Sequence, residues 1–165
     1  MYGQRAFVGL VSMDMNSPAS YCSSSTADSL REAEEFVKWT LKKNCGRVHP
    51  VITPRFIPTC SEELLCGLAS IALEHKVMIQ SHLSESVAEV AFSKSLHPDC
   101  GSDLQIFRKV GMVGEDLRCV FAHATCLTSQ DIAEIASSKG AGLREVVSML
   151  NLTLSTLYPS DIFSD

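Results

Sequence analysis

Short apolar runs alternate with longer stretches of helical periodicity along most of this chain, and that alternation limits the folds open to it. The first run is Phe7-Val8-Gly9-Leu10-Val11-Ser12-Met13-Asp14. It is apolar on both faces, as in a parallel strand covered on both sides. A helix of about 16 residues is expected next, with Ser29-Leu30-Arg31-Glu32 as its capping box and Leu30, Ala33, Val37 and Leu41 as its apolar stripe, widened by Phe36. Glu34 and Lys38 are placed to pair on its wet face. Trp39 is read as helix packing. Asn44 and Gly46 end the helix. Val48 to Thr53 forms a second strand, and Thr59-Cys60-Ser61-Glu62 opens a helix that runs to about His75. A third strand, Val77 to Gln80, precedes helices from about Ser84 to Leu96 and from about Asp103 to Val110. Cys119 to Ala122 is a fourth strand, and Thr128-Ser129-Gln130-Asp131 starts another helix.

Alternation of this kind builds a parallel sheet covered by helices, either an open doubly wound sheet or a (β/α)8 barrel. No G-x-G-x-x-G follows the first strand and no G-x-x-x-x-G-K-[ST] occurs, so the nucleotide-binding versions of the open sheet lose support. The barrel remains. A whole one takes about 250 residues, and 165 residues with four strand–helix units correspond to about half.

Composition removes other classes. The net charge of -5, from 19 acids and 14 bases, argues against a strongly cationic nucleic-acid binder. No apolar run is long enough to cross a bilayer, and the first residues do not read as a signal peptide. The seven cysteines are odd in number, scattered and without a C-x-x-C pair, which suits reduced thiols and a cytoplasmic location better than a disulfide framework. The sequon at Asn151 is read as chance.

In a barrel, working residues sit at the carboxyl ends of strands. Here those ends are Asp14, Arg55-Phe56, His82 and His123, each polar or charged after an apolar run. His82 and His123 could bind a metal from different strands, or each could be a hydrogen-bonded strand-end histidine. Glu85, three residues past His82, could move a proton to or from metal-activated water, or could be an acid favoured in the first turn of a helix. Arg55 offers a planar fork of donors and Phe56 a flat apolar face; alternatively Arg55 pairs with an acid such as Asp14. His49, His75 and His97 are read as surface residues. The zinc-deaminase signatures H-x-E and P-C-x-x-C are absent.

Gly3-Gln4-Arg5-Ala6-Phe7-Val8-Gly9, Met13-Asp14, Val51-Ile52-Thr53-Pro54-Arg55-Phe56, Ile79-Gln80-Ser81-His82-Leu83-Ser84-Glu85 and Ala122-His123 together resemble the guanine deaminase family of zinc-dependent amidohydrolases. The resemblance covers about residues 3 to 141. It implies an α/β fold, a partial (β/α)8 barrel carrying strands three to six. It also implies hydrolytic deamination of guanine to xanthine and ammonia. His82 and His123 would then be metal ligands for Zn2+, Glu85 the proton carrier, and Arg55 and Phe56 the residues that hold the base. The family forms homodimers.

Two departures accompany the resemblance. The family's first-strand H-x-H does not occur, and neither does its eighth-strand Asp ligand. Residues 142–165 diverge, so the expected division is a partial barrel over 1–141 and a tail, helical and then irregular, over 142–165. The isolated chain is therefore expected to bind zinc weakly and to have little activity. The alternatives are a non-catalytic truncated isoform or interaction fragment, and a related amidohydrolase acting on another aminated heterocycle.

Overall fold

A computed structural model describes residues 3–43, 46–114 and 116–137. In order, the elements are β1 (Ala6–Val8), β2 (Val11–Ser12), α1 (Thr26–Lys43), β3 (Val48–Pro54), a 3-10 turn (Ile57–Thr59), α2 (Glu62–His75), β4 (Met78–Leu83), α3 (Val87–Leu96), α4 (Asp103–Lys109), β5 (Cys119–His123) and α5 (Ser129–Ser137). The strands pair in the order β1-β3-β4-β5, with β2 also on β3, and every pairing is parallel. The boundary expected near residue 141, and the tail, lie outside the described residues.

The first strand is interrupted rather than continuous. β1 and β2 both run along β3 in one register, Ala6 opposite Val48 and Val11 opposite Thr53, with Gly9 and Leu10 between them. Nor is it covered on both sides: Phe7 is 59% and Val11 50% exposed. In β4, Ile79, Ser81 and Leu83 are buried, whereas Met78, Gln80 and His82 are only partly so. The buried set packs with Ile52, Phe121 and the helix residues Leu64, Leu65, Leu68 and Phe107. The core thus lies between the sheet and its helices. The other face curls around a concavity of about 320 Å3 lined by Phe7, Val51, Met78, Gln80 and Val120.

α1 starts three residues before its expected capping box. Ser25 supplies the cap: its Oγ accepts from the Asp28 N–H at 3.1 Å and donates to the Asp28 carboxylate at 2.9 Å. Its buried face is Ser29, Ala33, Val37 and Thr40, at spacings of four, four and three; Thr40 takes the buried position after Val37, and Leu41 is left 44% exposed. Trp39 is likewise no packing residue: it is 58% exposed, with Phe36 at 6.5 Å and the Lys43 ammonium 4.9 Å from its ring. Lys38 and Glu34 pair at 2.7 Å, as the spacing predicts.

α2 begins where expected. Ser61 caps it, accepting from Leu64 N–H. Two of the three remaining histidines are not surface residues. His97 is 6% exposed at the end of α3, with Nδ1 3.6 Å from the Glu62 carboxylate at the start of α2. His75 is half-buried, 3.3 Å from Glu34. His49 is exposed. Among the described residues no helix is long and apolar enough to cross a membrane.

Candidate metal and substrate site

The carboxyl ends of β3, β4 and β5 meet at one rim, because the three strands are parallel and paired in register: His82 lies opposite Ala122, and Leu83 opposite His123. Regular pleating would send His123 to the face of Leu83, away from His82. The chain avoids this by leaving the strand through two left-handed residues, His123 at φ 72° and Ala124 at φ 54°. The two imidazoles end up stacked, with centroids 5.3 Å apart. Non-glycine residues seldom occupy this region, and its cost of about 1–3 kcal/mol persists where the surrounding contacts impose it.

His82 is oriented by the end of β3. Its Nδ1 lies 2.7 Å from the carbonyl oxygen of Arg55, which can only accept, so Nδ1 carries the proton and Nε2 keeps the free lone pair. The same carbonyl accepts from the His82 N–H at 3.2 Å and from the buried Ser81 hydroxyl at 3.1 Å. Such a carbonyl behind a histidine is how metal-ligating rings are commonly held. His123 differs: its Nδ1 is buried with no hydrogen-bond partner among the described residues. Its Nε2 is 3.6 Å from a Glu85 carboxylate oxygen. A buried nitrogen without a partner is uncommon. It and the Nε2 of His82 are two imidazole nitrogens of the kind zinc takes, short of the three protein ligands of a complete catalytic site.

Glu85 is not in the first turn of a helix. α3 begins at Val87, after Ser86 as cap, so Glu85 stands before the helix on the rim, with its side chain 44% exposed. Its N–H donates to Glu89 at 2.7 Å, and its carbonyl accepts from the Thr125 hydroxyl at 2.6 Å. Arg55 and Phe56 follow β3 directly. The guanidinium carbon is 5.2 Å from the Phe56 ring centroid, and Phe56 meets His82 edge-on at 6.5 Å. Arg55 forms no ion pair with Asp14 among the described residues; its guanidinium donates to Met13 Sδ at 3.8 Å. Asp14, the remaining strand end, is taken up in structure. It accepts from Thr26 Oγ1 at 2.8 Å, from Ser61 N–H at 2.7 Å and from Ser61 Oγ at 2.5 Å.

Three supporting residues have no site role in the sequence reading. Ser86 and Glu89 fit an S-x-x-E capping box, a signal that was available. Asp103 has no local signal: it reaches Ser84 across 19 positions. Among the described residues, the group of three ligand-type side chains with donor atoms within 4.8 Å of one another is Glu34, Glu74 and His75, on the helical side and partly exposed.

The amidohydrolase family model matches residues 1–160. Guanine deaminase from Mus musculus is 38% identical over 155 residues, 94% of this chain and 33% of the relative. The chain thus spans about a third of the length of the curated relatives it matches. A guanine deaminase structure from C. acetobutylicum with guanine bound in its active site superimposes with a TM-score of 0.74 at 35% identity, covering 80% of this chain and 31% of that one. An adenosine deaminase structure from Xanthomonas campestris with bound zinc has a TM-score of 0.68 at 22% identity, over 81% and 28% of the two chains, and supports the fold. The parallel, curled sheet with its helices is a partial (β/α)8 barrel, and the chain belongs to the amidohydrolase family.

Proposed function

We propose that this chain carries part of the barrel of a guanine deaminase, an enzyme that takes guanine and water to xanthine and ammonia. The observation that carries the reading is the meeting of His82, His123, Glu85, Arg55 and Phe56 at one strand-end rim, in a chain whose relatives are guanine deaminases.

His82 and His123 would hold zinc. When bound, the metal would supply water acidic enough to attack at neutral pH, with a pKa lowered toward about 7. Glu85, exposed on the rim and close to His123, would take the proton from the attacking water and deliver it to the departing amine. Arg55 would bind the polar edge of the base and Phe56 would lie against its face. The Arg55 carbonyl keeps His82 in the tautomer with Nε2 free. Homodimer formation and a cytoplasmic location accompany the reading.

The test is guanine loss, followed by ultraviolet absorbance with added zinc, in the 165-residue chain and its His82→Ala and Arg55→Ala variants. Turnover that both variants abolish supports the reading. Without turnover, zinc-dependent shifts of the His82 and His123 ring signals decide. Their presence favours a non-catalytic fragment with the family's half-site, and their absence from folded protein overturns the site. Equal turnover of another aminated heterocycle, untouched by Arg55→Ala, would move the substrate assignment to the related amidohydrolases.

A further inference from the structure

The Ser84–Glu85 turn joins His82 to the carboxylate that faces His123, and nothing in its own sequence holds it in place. Ser84 sits at φ 48°, in the left-handed region. Its two donors, N–H and Oγ–H, both go to one carboxylate oxygen of Asp103, each at 3.1 Å. Asp103 is 1% exposed at the first position of α4. The next backbone N–H, that of Glu85, goes to Glu89 of α3. The Ser84 carbonyl accepts from Cys126 N–H at 3.0 Å and from Thr125 Oγ at 3.2 Å, which ties the turn to the segment after His123.

Burial pushes the Asp103 carboxyl above its usual range, against the pull of its Ser84 bonds, and neighbouring Asp131 adds to the rise. No basic side chain pairs with Asp103 among the described residues. A buried acid kept at this cost, bonded on both donors of a strained serine, is placed to fix backbone.

We propose that Asp103 is a positioning residue for the candidate metal site: through Ser84 it holds the β4 and β5 strand ends together, and with them His82, Glu85 and His123. This rests on the proposed function only in naming those side chains as a metal site. Both Ser84 bonds fall on one Asp103 oxygen, with the Ser93 hydroxyl also beside the carboxylate, so an asparagine carbonyl could accept both Ser84 bonds, and the prediction separates hydrogen bonding from charge.

The experiment uses the full 165-residue chain and two readouts. The first is the ring-to-ring nuclear Overhauser effect between His82 and His123 in metal-free protein. The second is zinc affinity from titration of the same ring signals. Asp103→Ala is expected to lose the ring-to-ring contact and to weaken zinc binding by about tenfold or more, the usual scale for outer-shell residues. Asp103→Asn is expected to retain the contact and to stay within about threefold. Val37→Ala, a buried change on α1, which packs against α2 and β3 and not against Ser84 or Asp103, controls for stability alone. It should lower the melting temperature and leave the ring contact unchanged.

Folded Asp103→Ala with an intact ring contact overturns the proposal. So does an Asp103→Asn that fails as badly as Asp103→Ala. If Asp103→Ala does not fold, Ser84→Ala breaks one of the two bonds from the other end and should weaken the ring contact; an unchanged contact there counts against the clamp. Should the parent chain bind no zinc, the metal reading fails, and the metal-free ring contact still decides the clamp.

Discussion

Replacing Gly9 by alanine is expected to strip the first strand pair from the sheet. A Cβ at this position would stand 2.0 Å from Thr53 Oγ1, 2.5 Å from the Val51 carbonyl oxygen and 3.0 Å from Thr53 Cβ. Comfortable carbon contacts begin near about 3.5 Å, so the chains must part by roughly 1 Å. The Thr53 hydroxyl can rotate, but the Val51 carbonyl is backbone in the middle of β3 and can yield only if the strand moves. Overpacking costs about 1–3 kcal/mol, and each ladder bond opened adds about 1 kcal/mol. A loss of about 3–4 kcal/mol follows. For a chain of this size it would lower the melting temperature by roughly 10 °C.

Urea unfolding followed by circular dichroism measures the loss. Gly9→Ala combined with Thr53→Ala gives the sharper reading. It removes the Thr53 Oγ1 contact and leaves those to Thr53 Cβ and to the Val51 carbonyl, so it should recover no more than about half of the loss, judged against Thr53→Ala alone. A Gly9→Ala protein within about 0.5 kcal/mol of the parent would refute the reasoning. Complete recovery in the double variant would show that the carbonyl contact had been overrated.

Asp14→Ala should cost about 3 kcal/mol in the same assay, because three donors at the starts of α1 and α2 lose one charged acceptor. Asp14→Asn, which keeps one acceptor oxygen, should cost about half of that. Asp28 is held down to about 2 by the Ser24 and Ser25 hydroxyls and by Arg31. Its folded pKa lies below the ordinary 3.8, so its contribution is fully present above that value and fades as pH falls through about 2. An acid titration of stability should therefore flatten in that window in Asp28→Asn. Burial pushes the Cys60 and Cys119 thiols up to about 12, so among the cysteines of the described residues a thiol reagent at pH 8 should label exposed Cys66 first. Cys60 and Cys119 should react only after unfolding.

Much of this was legible because the signals are local. β4 and β5 are apolar runs bounded by polar residues, and they lie where the pattern puts them. The residues that end them, His82 and His123, do meet. Contacts distant in sequence were not legible. Nothing near Gly9 tells that Val51 and Thr53 press on it from 42 and 44 positions away. Nothing near His97 places it against Glu62. Phe7 to Asp14 reads as covered on both faces, yet only one face meets helices. The capping box at Ser29 fits the rule, but Ser25 with Asp28 fits equally well and lies one turn earlier. Spacing put Leu41 on the apolar stripe and Trp39 was read as packing, but Thr40 takes the buried position after Val37 and both lie outside. The left-handed turn that brings His123 round to His82 has no glycine to announce it.

The Arg55 carbonyl has a consequence of its own. An oxygen has two lone pairs, and three donors from β4 converge on this one. The guanidinium proposed to grip the base and the oxygen that aims an imidazole therefore belong to one residue, so the two tasks share a hinge. A change that drags the end of β3, such as a longer or stiffer connection into α2, would swing the base-gripping arm and loosen the ring together. Exchanging the arginine side chain alone would free the arm and leave the ring aimed. Selectivity for the base and hold on the metal could then drift together through loop changes that touch neither, while point changes at position 55 would keep them apart.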